Sequence, residues 1–353
     1  MKPISKHRDE IKRILILQTA FLGDVILTIP LIKKTTQIFP NARVDFLTIP
    51  NAKNLVETIP YIHQLHIYDK HKSEKGLRAL FSWQKKLRQQ HYDLAIVPHR
   101  SFRSALLIRG SGIPLRIGFN SSAGHWFFTE SIPYPKGVHE INRNLHLLKP
   151  FGQNPDEYIK PELYFTEDDY RIVEEWMVTE NISSDAQKVV MAPGSVWATK
   201  RWLPERYGQL ANDLVEQGRE VILIGGDTDA AIGEVVLREA KVPLHNAIGR
   251  FTLRQSALLI QKSDLLITND SAPLHLGVAV STPVLAIFGP TVPAFGFYPY
   301  GEKDRILETK GLSCRPCSIH GGMKCPIGTF DCMKNISVKQ VLTTALEMLN
   351  ENS

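Results

Sequence analysis

Apolar runs of strand length, each followed by a segment of helical spacing, recur in two series along this 353-residue chain. That alternation restricts the fold more than any other feature. Strands that read as near-continuous apolar runs are buried on both faces, so helices must cover a parallel sheet on either side. The first series opens with IKRILILQTAFLGDVILTIPLIKKTTQIFP, where ILIL has strand length and VILTIPLIKKTTQIF carries helical spacing after a Gly-Asp turn. ARVDFLTIP, QLHIYD and DLAIVPH read as further strands, with helices expected at residues 51–58 and 75–90. Residues 100–165 are less regular, and a polar helix from Glu167 to Glu180 leads into NISSDAQK. The second series then runs KVVMAPGS (strand), PERYGQLANDLVEQG (helix ended by Gly218), EVILIGG (strand), TLRQSALLIQKS (helix), DLLITND (strand), SAPLHLGVAVS (helix) and TPVLAIFGP (strand).

The expected organisation is an α/β chain of two Rossmann-like domains, 1–165 and 188–353, joined by a linker helix and loop over 166–187. Open parallel sheets bind ligands at the carboxyl ends of their strands, so a cleft with the two domains facing each other is the expected site. Neither half carries G-x-G-x-x-G, and Gly225-Gly226-Asp227 is too short to stand for it. This argues against a dinucleotide oxidoreductase and leaves a nucleotide-sugar transferase of the two-domain GT-B type.

The net charge of +6 favours an anionic partner. Nucleic acid ranks last, because the Lys, Arg and His between residues 63 and 149 form no recognition motif. No apolar run is long enough to span a bilayer. The charged start MKPISKHRDEIKR lacks a signal peptide's apolar segment, and all four cysteines lie together in the last 40 residues. A reducing cytoplasm is the expected compartment.

Two turns in the second half suit an anion. In APGSVWATKRWLPERY, backbone N–H groups after a strand combine with Ser195, Thr199 and the Lys200 ammonium to cradle a diphosphate. A solvated Lys-Arg pair is the plainer account of that segment alone. In TNDSAPLHLGVAVSTPVLAIFGPT, a strand ends at Asn269-Asp270 and a helix opens at Ser271 and Ala272, with His275 one turn in. Ser271 and the helix start can bind phosphate, and Asp270 can reach a sugar hydroxyl. Simple capping by Asp270 or Ser271, and a core position for His275, compete with that reading. Asp227 or Asp229, after EVILIGG, can meet ribose hydroxyls or merely solvate a loop.

The first half offers a carboxylate at the matching place. In QTAFLGDVILTIP, Asp24 starts a helix at the carboxyl end of the first strand, where it can take a proton from an attacking hydroxyl. The competing role is that of helix N-cap.

Taken in order, GDVILTIP, PGSVWATKRWLPERY and TNDSAPLHLGVAVSTPVLAIFGPT resemble the ADP-heptose:lipopolysaccharide heptosyltransferase family across nearly the whole chain. The resemblance implies an inverting GT-B enzyme that moves L-glycero-D-manno-heptose from ADP-heptose to the inner core of lipopolysaccharide. It puts Asp24 on the family's catalytic base, Lys200 on the lysine meeting the donor diphosphate, and Asp270 on the acid contacting donor heptose and phosphate. Ser195 and Thr199 fall in the phosphate loop. Asp227 falls where some members carry a ribose-binding glutamate. The inverting scheme that the resemblance implies requires no cofactor or metal.

Acceptor binding, to Kdo-lipid A or a heptosylated core, is expected from His99, Arg100 and Arg103 after DLAIVPH, with Lys70 to Arg78 as a second patch or a solvated face. Such a basic patch would also hold the protein to the anionic cytoplasmic face of the inner membrane. Cys314, Cys317, Cys325 and Cys332 follow C-x2-C-x7-C-x6-C, compatible with a structural zinc site if the thiolates converge, although the second pair lacks a C-x-x-C knuckle. A cysteine tail of this appearance, followed by the helix SVKQVLTTALEML, resembles the heptosyltransferase II branch. The alternatives are a GT-B enzyme with another nucleotide-sugar donor and a non-catalytic nucleotide or glycan binder.

Overall fold

The computed structural model describes residues 8–70 and 72–351. Most of the charged stretch read against a signal peptide, and His71 of the second basic patch, lie outside the described residues. The chain divides into two compact units, Met1–Tyr164 and Phe165–Ser353.

The first unit runs β1 (Arg13–Leu17), α1 (Leu22–Ile26), α2 (Ile29–Ile38), β2 (Arg43–Thr48), α3 (Lys53–Val56), β3 (Gln64–Ile67) and α4 (Gly76–Arg88). It continues through β4 (Leu94–Val97), α5 (Phe102–Gly110), β5 (Leu115–Phe119), β6 (Glu130–Ile132) and α6 (Glu140–Leu145). Its six strands are parallel in the order β3-β2-β1-β4-β5-β6, the Rossmann order. β1 is buried on both faces from Ile14 to Leu17, which is why ILIL carries no alternation.

The Gly-Asp pair is not a turn ahead of the helix, because α1 begins at Leu22 and Asp24 occupies its third position. The helical run also breaks after Ile26, where Pro30 has no N–H to donate back to the Ile26 carbonyl, and α2 restarts with that proline in its first turn. The irregular stretch after residue 100 holds two short strands, β5 and β6, that complete the sheet edge.

The second unit begins with α7 (Glu167–Thr179), β7 (Lys188–Ala192), α8 (Pro204–Glu216), β8 (Glu220–Leu223), α9 (Ala230–Glu239), β9 (His245–Asn246) and α10 (Leu253–Gln261). It ends with β10 (Leu265–Asn269), α11 (Ala272–Ala279), β11 (Val284–Phe288), β12 (Arg305–Glu308), α12 (Asp331–Lys334) and α13 (Val338–Asn350). Its parallel sheet, β12-β11-β10-β7-β8-β9, repeats the Rossmann order read from the other edge. α7, expected as a linker helix, is capped by Thr166 and held to α10 by the buried Asp169–Arg254 pair at 2.5 Å. α8 opens with Pro204 and stops where Gly218 takes φ +76°, a conformation closed to most side chains.

The core of this unit packs both sheet faces. Trp202, fully buried, stacks edge-on against Tyr207 at 5.0 Å and donates from Nε1 to the Ile336 carbonyl at 3.0 Å. That anchor lies two residues beyond Lys200, so the segment bearing the lysine is pinned by core packing.

Candidate active site

In both sheets the strand order reverses between two neighbouring strands, β1 and β4 in the first unit and β7 and β10 in the second. The crevice beyond the carboxyl ends of such strands is where doubly wound sheets bind ligands. The segments that follow these four strands carry nearly all of the residues singled out above.

In the second unit the segments after β7 and β10 are stitched together by Asn269. Its side-chain amide donates to the Pro193 carbonyl at 2.9 Å and its oxygen accepts from the Trp202 N–H at 2.9 Å. This brings Lys200 onto Asp270, with Nζ 2.7 Å from Oδ2 and only 13% and 7% of the two side chains exposed. The same Oδ2 accepts the Thr291 hydroxyl at 2.5 Å. Ser271 is the N-cap residue of α11 but makes no side-chain cap, its hydroxyl lying 3.5 Å from the Gly194 carbonyl. The start of the helix, directly after Asp270 in the chain, is therefore left without a side-chain cap.

His275 is 5% exposed and its Nδ1 has no hydrogen-bond partner among the described residues. Burial, reinforced by the Lys200 charge, pushes its pKa down to about 3, so the ring is neutral at pH 7. The unfolded ring titrates near 6.5, so between pH 6.5 and 3 the unfolded chain binds the extra proton and stability falls on acidification. His275→Asn should flatten that acid-side loss when thermal midpoints are followed from pH 7 to pH 4. An unchanged slope would contradict the burial of a neutral ring.

Ser195 lies in the loop after β7, with its backbone carbonyl accepting from Arg201 Nε at 2.8 Å, and Thr199 is buried against Gly322. Asp229 is committed locally, since its Oδ2 accepts the Gly226 N–H at 3.0 Å. Asp227 is exposed at the end of β8. Of the two acids, it is the one turned toward solvent.

In the first unit Asp24 accepts the Phe21 N–H through Oδ2 at 3.2 Å, closing the first turn of α1 from inside. Near it lies a group that sequence reasoning missed. Glu140 and Arg143, one turn apart on α6, form a buried ion pair, and the Arg100 and Arg143 guanidiniums stack on the Tyr134 ring at 4.3 and 4.7 Å. Burial raises the Glu140 pKa to about 7, with Arg143 opposing and the Asp24 charge adding to the rise. The irregular Gly- and Pro-rich stretch before α6 carried no pattern that would have pointed to this pair.

The three residues after β4 are placed differently from one another. His99 Nδ1 meets the Thr19 and Ser104 hydroxyls at 3.1 and 2.8 Å, and burial beside Lys70 and Arg100 pushes its pKa to about 3. A neutral ring gives no charge attraction to an anion. Arg103 is spent on the Tyr68 hydroxyl at 2.7 Å and on the Glu74 and Gly76 carbonyls, which fix the loop before α4. Arg100 is exposed.

The four cysteines are free thiols, and among the described residues no group of three or more His, Cys, Asp or Glu is arranged to hold a metal ion.

Residues 80–324 match the family model of glycosyltransferase family 9 (heptosyltransferase). The chain belongs to this family. It is a glycosyltransferase, and its two Rossmann-like units are those of the GT-B fold. The family 9 chain is 26% identical to a lipopolysaccharide core heptosyltransferase, OpsX, of Haemophilus influenzae over 303 residues, 84% of each chain. Among solved structures it is similar to a family 9 glycosyl transferase from Veillonella parvula, with a TM-score of 0.87 at 23% identity, covering 96% of this chain and 98% of the other. It is also similar to the ADP-heptose lps heptosyltransferase II of E. coli, with a TM-score of 0.78 at 22% identity, covering 96% and 99%.

Proposed function

We propose that this family 9 enzyme transfers L-glycero-D-manno-heptose from ADP-heptose to the inner core of lipopolysaccharide, with inversion, as a heptosyltransferase of the second type. The observation that carries the donor half is the buried Lys200–Asp270 pair beside the start of α11, in which the carboxylate fixes the position of an ammonium. Asp24 removes the proton of the acceptor hydroxyl as its oxygen bonds to the anomeric carbon. The bond from that carbon to the diphosphate oxygen breaks, and ADP leaves with the electron pair. Lys200 and the α11 N-terminus carry the growing charge, a role that calls for no metal or cofactor. Ser195, Thr199, Ser271 and His275 complete the donor loop, and Asp227 meets the ribose. Arg100 is the acceptor-facing cation. The preference for the second type rests on the cysteine tail.

A transfer assay tests this directly, with ADP-heptose set against UDP- and GDP-sugars and Kdo-lipid A supplied with and without a first heptose. Turnover only with a non-ADP donor would overturn the reading, and turnover only without the first heptose would move it to the first type.

Work on a lipid-borne acceptor places the enzyme at the cytoplasmic face of the inner membrane, and α4 supplies a fitting surface. No helix among the described residues is long and apolar enough to cross a membrane. Leu77 and Phe81, one turn apart on α4, are 65% and 61% exposed, and the helix carries Arg78, Lys85, Lys86 and Arg88 with no acidic residue. Apolar side chains among cations suit an anionic lipid surface. Leu77→Ser with Phe81→Ser should lower co-sedimentation with phosphatidylglycerol vesicles about tenfold. Equal pelleting of variant and wild type would rule α4 out.

A further inference from the structure

The cysteine-bearing segment has no part in the scheme above, yet it packs against Lys200 and reaches Asp270 through Thr291. On the aspartate side, Thr291 donates its hydroxyl to Asp270 Oδ2 at 2.5 Å and is itself 2% exposed. The Thr291 carbonyl accepts from Arg315 Nη2 at 2.7 Å, and the neighbouring Pro290 carbonyl accepts the Cys317 N–H at 3.0 Å. Arg315 is in turn held by Glu308 at 2.9 Å and by the Thr309 carbonyl, with 5% of its side chain exposed.

On the lysine side, Thr199 is locked to Gly322 in both directions. The Thr199 N–H and hydroxyl donate to the Gly322 carbonyl at 3.0 and 2.9 Å, and the Gly322 N–H lies 2.8 Å from the same hydroxyl oxygen. The preceding Gly321 sits at φ +85°, and a Cβ there would come within 3.1 Å of Lys200 Cγ. One segment thus lies against the lysine directly and is linked to the aspartate through Thr291.

We propose that residues 312–332 brace the donor diphosphate site, with Thr291 and Arg315 as positioning residues that hold Asp270, and through it the Lys200 ammonium, in place. The proposal rests on reading that pair as the diphosphate site. Asp270 Oδ2 is shared between an ammonium and a hydroxyl, so losing the hydroxyl frees the carboxylate to turn and to draw the lysine with it. A loop that merely packs would affect stability alone. A brace also sets affinity for the anion.

The test is ADP titration by calorimetry on wild type, Lys200→Ala, Thr291→Val, Thr291→Ser and Arg315→Lys, each well below its own thermal midpoint, together with donor KM and kcat. Thr291→Val keeps the shape and loses the hydroxyl, and should weaken ADP binding about tenfold, the worth of one hydrogen bond to a charged group, while raising donor KM more than it lowers kcat. Thr291→Ser loses a methyl and keeps the hydroxyl, and should restore ADP affinity to within about twofold. Arg315→Lys should weaken ADP in the same direction as Thr291→Val, and if it fails to fold the threonine pair decides. Wild-type affinity in Thr291→Val alongside a weakened Lys200→Ala would overturn the brace and leave the diphosphate site standing. Wild-type affinity in Lys200→Ala would overturn the reading of the site itself.

Discussion

Asp24→Asn should lower kcat by about 10²- to 10⁴-fold, the range a positioned general base supplies, while leaving ADP affinity within a factor of about two. Asparagine keeps an oxygen that can accept the Phe21 N–H, so the first turn of α1 retains its internal hydrogen bond and folding is preserved. What it loses is basicity. The residues proposed to hold the donor all belong to the second unit, so the substitution alters none of them. If Asp24 served only the helix, the cost would be about 1 kcal/mol of stability and turnover would be unchanged. Single-turnover transfer, with thermal midpoints recorded beside it, separates the two.

Lys200→Ala should weaken ADP binding on the order of 30-fold or more. Truncating one partner of a buried, hydrogen-bonded charge pair costs about 2–5 kcal/mol, much of it because the other charge is stranded. Here the stranded group is Asp270, with 7% of its side chain exposed and the Thr291 hydroxyl as its remaining partner. Its charge would then repel the diphosphate that the ammonium had attracted. Removing that charge as well should recover part of the loss, so Lys200→Ala with Asp270→Asn should bind ADP more tightly than Lys200→Ala alone. A double variant no better than the single would mean that the pair does not act as a unit toward the ligand.

The fold was legible because burial on both faces leaves a simple record, and runs such as ILIL, KVVMA and VLAIF appear as β1, β7 and β11. The carboxyl-end segments were legible for a related reason, since polar residues that directly follow such a run can only lie at the strand's end. Sequence did not show where Asp24 falls within its helix, because the start at Leu22 and the break before Pro30 depend on local backbone geometry more than on apolar spacing. Nor did it distinguish His99 from Arg100. Adjacent cations in a string, they separate into a half-buried neutral ring and an exposed guanidinium only once the surrounding side chains are packed. Thr291 and Asn269 stood in plain view inside motifs, but their use, as a hydroxyl on Asp270 and a stitch between two loops, comes from partners 21 and 76 residues away.

The division of labour between a base in one unit and an anion site in the other is tested most directly by pairing ADP titration with single-turnover transfer from ADP-heptose in Asp24→Asn. The variant should bind ADP as wild type does and transfer no measurable heptose on the timescale of one wild-type turnover. Transfer at the wild-type rate would contradict the account.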